Sequence, residues 1–146
     1  MITDQLAESN RPGGFELPGA SLIDFPEGFM GMHNLTRFAL VEPSGEPSPF
    51  RFLICVDAPE IGFGLADPSQ LFANYEVDVS AEREVLQIES DDDVGLYVVL
   101  TIGENPMRTT ANLLAPVLLN KRTGLARQLV LSDSRYSTKH PIIAAR

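Results

Sequence analysis

The chain has 146 residues, 44% of them hydrophobic, and a formal charge of −9 at pH 7. That length suits one compact domain able to bury roughly two-thirds of the surface its unfolded chain exposes. The charge argues against direct binding of nucleic-acid phosphates. No run reaches the roughly 20 apolar residues of a membrane-spanning helix. The opening MITDQLAESN is polar and acidic where a secretory signal is basic and then apolar, so a cytoplasmic protein with no membrane partner is expected.

Charge is unevenly distributed. Residues 1–100 carry 18 acidic and 4 basic side chains, and residues 101–146 carry 2 acidic and 7 basic. Between Glu76 and Asp93 there are 8 acids and a single Arg. Such a surface repels phosphate and speeds encounters with cationic partners, although acidic bias also serves solubility alone.

Residues 1–14 end in Arg-Pro-Gly-Gly and read as a flexible N-terminal extension, leaving 15–146 as the folded domain. Short β-rich runs then follow one another between turn residues. After ASLIDF comes FMGMHNL, in which Met30, Met32 and His33 suit a soft metal such as Cu(I) but more simply are packed methionines beside a surface histidine. TRFALV precedes Glu42 to Pro49, an exposed loop with three prolines and a glycine. FRFLICV alternates with period two, sending Phe50, Phe52, Ile54 and Val56 one way and Arg51, Leu53 and Cys55 the other. Cys55 is the only cysteine, so no intrachain disulfide or cysteine-built zinc site forms. IGFGLA holds a Gly62-Phe63-Gly64 fragment without the third glycine or the helix of a dinucleotide loop.

The next segment, DPSQLFANYE, places Leu71, Phe72 and Tyr75 between turn residues and acids, either to plug the end of a barrel or to receive a partner. One short helix is expected from an N-cap at Ser80, with Glu82 and Glu84 in its first turn and Val85 and Leu86 beyond. Asp91, Asp92 and Asp93 lack the spaced ligands and glycine of a calcium loop and read as a solvated turn. VGLYVVLTI is apolar on both faces, as in a strand covered on both sides. In NLLAPVLLN, Pro116 demands an edge or a bulge. Asn120 to Gly124, NKRTG, predicts a hairpin with Gly124 near positive φ before LARQLVLS. These runs make the chain mostly β, a single-domain antiparallel β-barrel-like fold that limits exposed edges by closing.

The ending SDSRYSTKH contains hydrolase residue types, Ser134 or Ser137 with His140. A triad needs a base in reach of a nucleophile, an orienting acid and an oxyanion site, and closeness in sequence supplies none of these. The G-x-S-x-G elbow is also absent.

Five co-linear segments carry a resemblance to one family. They are IDFPEGFMGMHNLTRFALVE, PFRFLICVDAPEIGFGLADPSQLFANYE, VGLYVVLTI, NLLAPVLLNKRTGLARQLVL and SDSRYSTKHP. Together they resemble the FliW flagellar assembly factors, and the last is similar to that family's D-S-R-Y-x-x-x-H ending at Asp133, Ser134, Arg135, Tyr136 and His140. Met30 and Met32 replace a more usual Pro-Gly-aromatic pattern, and Leu114 a usual polar residue. The resemblance implies a cofactor-free, non-enzymatic partner switch. It implies binding to CsrA, an RNA-binding repressor of flagellin translation that is antagonised allosterically, and to cytoplasmic flagellin. Phe72, Asn74, Tyr75, Glu76 and the acids Asp91 to Asp93 are the expected partner contacts. Asp133 and Arg135 are expected to hold the terminal segment against the barrel or a partner, with Tyr136 adding apolar contact.

Overall fold

A computed structural model describes residues 20–42, 48–102, 108–132 and 135–142. The N-terminal extension expected at 1–14, most of the EPSGEPSP loop, Asp133 and Ser134 lie outside the described residues. Eight strands form one antiparallel sheet: β1 (Ala20–Asp24), β2 (Arg37–Val41), β3 (Phe50–Cys55), β4 (Gly62–Ala66), β5 (Val94–Thr101), β6 (Thr110–Asn120), β7 (Ala126–Gln128) and β8 (His140–Pro141). The first seven are neighbours in chain order and β8 returns to β6. The curl brings β1 back beside β7, where the Asp24 N–H donates to the Gly124 carbonyl at 2.8 Å. The result is a nearly closed barrel.

Period-two patterning decides what lies inside. On β3, Leu53 and Cys55 are buried in the interior while Phe50 and Phe52 face out, 38% and 47% exposed. Tyr97 and Val99 of β5 also point inward, alongside residues from β1, β2, β4, β6 and β7. The rings of Phe25, Phe29, Phe38 and Phe63 form a contact network within this core, with centroids 4.7–6.3 Å apart.

The outer face of β5 and β6 is covered as well, as the doubly apolar VGLYVVLTI requires. Val98 and Leu100 pack with Ala111, Leu113 and Ile142 under the 71–75 segment. Leu118 and Leu129 pack with Leu86 and Ile88. The long connection from β4 to β5 therefore clothes one wall of the barrel.

Pro116 lies inside β6, at a bulge and not at an edge. Tyr97 pairs with Val117 but Val99 with Asn112, so Leu113 to Pro116 oppose Val98 alone. Asn112 Oδ1 caps the bulge by accepting from the N–H groups of Leu114 and Ala115 at 3.1 and 3.0 Å.

Two expectations need correction. The helix foreseen at Ser80 is a 3-10 turn, Ser80–Glu82, with Val79 at the cap position, while Ser80 Oγ donates to Asp78 at 2.7 Å. One α-type bond, Leu86 N–H to the Glu82 carbonyl, continues it. A Schellman arrangement then stops it: Ile88 N–H bonds the Arg83 carbonyl, Gln87 N–H bonds the Glu84 carbonyl, and Gln87 takes φ 58°. Nor are the methionines both packed. Met30 and Gly31 are the central pair of a tight turn at φ 55° and 77°, closed by Met32 N–H to the Phe29 carbonyl, and Met30 is 39% exposed.

Gly124 adopts φ 84°, as the hairpin predicts, and a Cβ there would lie 2.7 Å from the Leu22 carbonyl oxygen. Glycine thus serves both the turn and the approach of β1. Gly124→Ala is expected to destabilise the fold by about 1–3 kcal/mol, read as a lower urea midpoint. An unchanged midpoint would show that the seam tolerates a side chain.

Candidate functional site

The covered wall holds most of the residues singled out from the sequence. Asp67 starts the covering segment by accepting from Ser69 N–H at 3.0 Å and Ser69 Oγ at 2.8 Å, which sets the turn Pro68–Gln70. Phe72 and Tyr75 then lie half-buried on the outside of the barrel wall, neither plugging an end nor wholly displayed. The Tyr75 hydroxyl donates to the Leu113 carbonyl at 2.6 Å, inside the β6 bulge. Leu113 has no partner on β5 and its N–H turns to Ser137, so the tyrosine satisfies a backbone carbonyl at the bulge.

The C-terminal segment completes the cluster. Leu113 N–H donates to the Ser137 carbonyl and Ile142 N–H to the Thr109 carbonyl, laying 137–142 along β6. Tyr136 meets Tyr75 edge-on at 4.8 Å, and its hydroxyl accepts from Glu76 N–H at 3.3 Å. The Arg135 guanidinium carbon lies 5.2 Å from the centre of the Tyr136 ring. The His140 ring stands edge-on to Phe72 at 5.2 Å. Phe72, Tyr75, Glu76, Arg135 and Tyr136 are thereby brought together, with Asn74 exposed on the same segment.

Asp91, Asp92 and Asp93 are not part of that cluster. They form a 3-10 turn before β5, capped by Ser90 Oγ, which accepts from Asp92 N–H at 3.2 Å. β5 starts opposite Asn120, whereas the aromatic cluster rests near Ala111 and Leu113. The two groups lie on the order of 20 Å apart along β6. Asp91 pairs with Arg83 at 2.8 Å and Asp93 with Arg122 at 3.4 Å, while Asp92 is exposed.

Sequence reasoning missed the residue that anchors this second region. Asn120 is fully buried, and its Nδ2 donates to the carbonyls of Leu86 and Gln87 at 2.8 and 3.1 Å. Its Oδ1 accepts from Arg122 N–H at 2.9 Å and Thr123 N–H at 3.3 Å. Arg122 adds a third donor at the Gln87 carbonyl, 3.0 Å away. The carbonyls that a short helical turn leaves unpaired are satisfied from the β6–β7 hairpin. The only signal was polar residues in NKRTG, whose partners depend on strand register.

The acids between 76 and 93 form an anionic strip on the outside of the wrap, with Glu76, Asp78, Glu84, Glu89, Asp91 and Asp92 all exposed. Hydrogen bonds from the Ser80 backbone and hydroxyl hold the Asp78 carboxyl below its usual range, favouring its charged form. Burial, with a smaller contribution from Tyr136, pushes the Tyr75 phenol well above its ordinary value. In the terminal segment, Ser137 Oγ accepts from Lys139 N–H at 3.3 Å and His140 faces Phe72, and no hydrogen bond joins the two among the described residues. Among the described residues no three His, Cys, Asp or Glu side chains converge as metal ligands, and no helix is long and apolar enough to cross a membrane.

Fold and surface define a small antiparallel β-barrel protein with one wall wrapped by an acidic connection and a returning terminus. The sequence profile of the family described as FliW protein matches residues 6–142. The chain is 36% identical over 129 residues to the flagellar assembly factor FliW of Geobacillus kaustophilus (strain HTA426), covering 88% of each. It is 37% identical over 131 residues to that of Bacillus subtilis (strain 168), covering 89% of this chain and 91% of the relative. A crystal structure of the flagellar assembly factor FliW superposes with a TM-score of 0.76 at 35% identity, covering 86% of this chain and 87% of that one. The chain belongs to the FliW family of flagellar assembly factors.

Tyr75→Phe removes the bond to Leu113 and should lower stability at neutral pH by about 1 kcal/mol. Because the folded-state pKa is raised, the unfolded chain loses this proton first, so stability present below the ordinary phenol pKa of 10.0 declines as pH rises beyond it. Urea unfolding from neutral pH to about pH 11 should show a shallower alkaline decline in the variant than in the wild type. Equal declines would separate Tyr75 from the alkaline response.

Proposed function

We propose that the protein regulates flagellin synthesis by occupancy, binding CsrA and flagellin as alternative partners and transforming neither. Family membership supports the flagellar setting. The observation that carries the partner's chemistry is the strip of exposed carboxylates from Glu76 to Asp92. An anionic strip of this kind suits the basic surface of an RNA-binding repressor and is unsuited to RNA itself. CsrA would be antagonised allosterically, away from its RNA site. Flagellin would hold the protein while it accumulates and release it on export. Whichever partner has the larger ratio of concentration to dissociation constant prevails. The exchange of partners needs no cofactor and takes place in the cytoplasm.

The cluster of Phe72, Asn74, Tyr75, Glu76 and Tyr136 and the acidic turn at Asp91 to Asp93 are the proposed contacts. Arg135 and Asp133 would secure the terminal segment beside the first of these. A titration with CsrA, with and without flagellin, tests the switch. CsrA should co-elute in size-exclusion chromatography, and flagellin should reduce the complex. Asp91→Asn with Asp92→Asn should slow association by several-fold at low salt, and the difference should shrink as salt rises. Failure of both partners to bind would reject the reading.

A further inference from the structure

The barrel seam leaves part of β7 open. Leu129 N–H bonds the Pro116 carbonyl, Leu131 N–H bonds the Leu114 carbonyl, and the Leu125 carbonyl accepts from Asn120 N–H. The odd-numbered residues of this stretch therefore face β6. In an antiparallel pair the alternate residues direct their backbone groups the other way, so those of Gln128 and Val130 point into the seam. β1 does not meet them. It runs parallel to β7 and bridges it at Asp24 and Leu125, and beyond Asp24 the chain meets this edge through side chains, Met30 N–H donating to Gln128 Oε1 at 3.0 Å and Glu27 lying 3.3 Å from Arg127. Among the described residues nothing pairs with the Gln128 and Val130 backbone groups on that side.

Beside this edge lies an open cleft of about 360 Å³ lined by Glu27, Met30, Asn112, Ala115, Gln128 and Val130. Val130 is 83% exposed, apolar surface at the mouth of the cleft. Glu27 is on the rim, and it shares a single guanidinium with Glu82: Arg127 lies 3.3 Å from one carboxylate and 2.6 Å from the other. Two carboxylates facing one cation leave the edge net negative.

We infer that an extended segment of a basic partner chain adds to this edge as a further strand. Its backbone pairs with Gln128 and Val130, one side chain enters the cleft beside Met30, and a Lys or Arg meets Glu27. A second copy of this chain is disfavoured as the occupant, since each copy carries −9. The inference rests on the proposal that the partner is a basic protein, and it adds where and in what conformation that partner binds.

Amide hydrogen exchange on the intact protein, alone and with CsrA, tests it. Strand addition should slow exchange at Gln128 and Val130 by about tenfold or more, with little change at Arg127 and Leu129, whose N–H groups already face β6. Val130→Pro removes one edge donor and should weaken the complex by about tenfold, whereas Val130→Thr keeps it and should bind as the wild type does. If the proline variant does not fold, the wild-type exchange pattern decides. A complex that leaves both edge amides unprotected overturns this inference alone. Absence of a complex with CsrA overturns this inference, and failure of flagellin to bind as well overturns the functional reading with it. Protection that grows with the protein's own concentration, without CsrA, would assign the edge to a second copy and overturn it too.

Discussion

Closure through one backbone contact governs this fold. A meander of seven strands has two free ends, and here they overlap by one residue, where Asp24 reaches the Gly124 carbonyl. That contact is possible because a glycine at φ 84° lets the Leu22 carbonyl come close. Once the ends meet, the inward residues of all seven strands share one core, from Ile23 on β1 to Ala126 on β7. Without it the structure would be an open sheet with two unprotected edges and a divided core.

The second organising feature is asymmetry between the walls. β5 and β6 are covered on both faces, and their outer cover is held by polar contacts at both ends. At one end Tyr75 takes a carbonyl within the β6 bulge, and at the other Asn120 takes the carbonyls freed by the helical turn. Each is a backbone group that secondary structure leaves unpaired and a side chain from a distant segment satisfies. The acids of the covering segment face outward, and three arginines, Arg83, Arg122 and Arg127, hold part of that charge in pairs without neutralising it.

The strands were legible because their signals are local. Leu53 and Cys55 alternate with Phe50 and Phe52, Gly124 and Pro116 each announce a backbone requirement, and VGLYVVLTI has no polar face. What escaped was information held in register. The helix begun at Ser80 ends after one turn because Gln87, not a glycine, takes the left-handed conformation, and its carbonyls are met by a residue 33 positions away. Similarly, the place of Phe72 and Tyr75 on a wall depends on a two-residue strand, β8, and on a bulge that the sequence marks only by its proline. The candidate contacts formed two separate groups for the same reason: nothing local relates residue 75 to residue 92.

The buried amide of Asn120 has a mechanical consequence. It ties the hairpin to the helical turn, Arg122 reaches Asp93, and the Asp93 carbonyl accepts from Lys121 N–H at 2.7 Å. Carboxylates at 91 to 93 are therefore mounted on a braced corner. A cation arriving there finds its counter-charges already positioned, so little chain freedom is lost on docking, and force applied at that corner is transmitted directly into the β6–β7 end of the barrel.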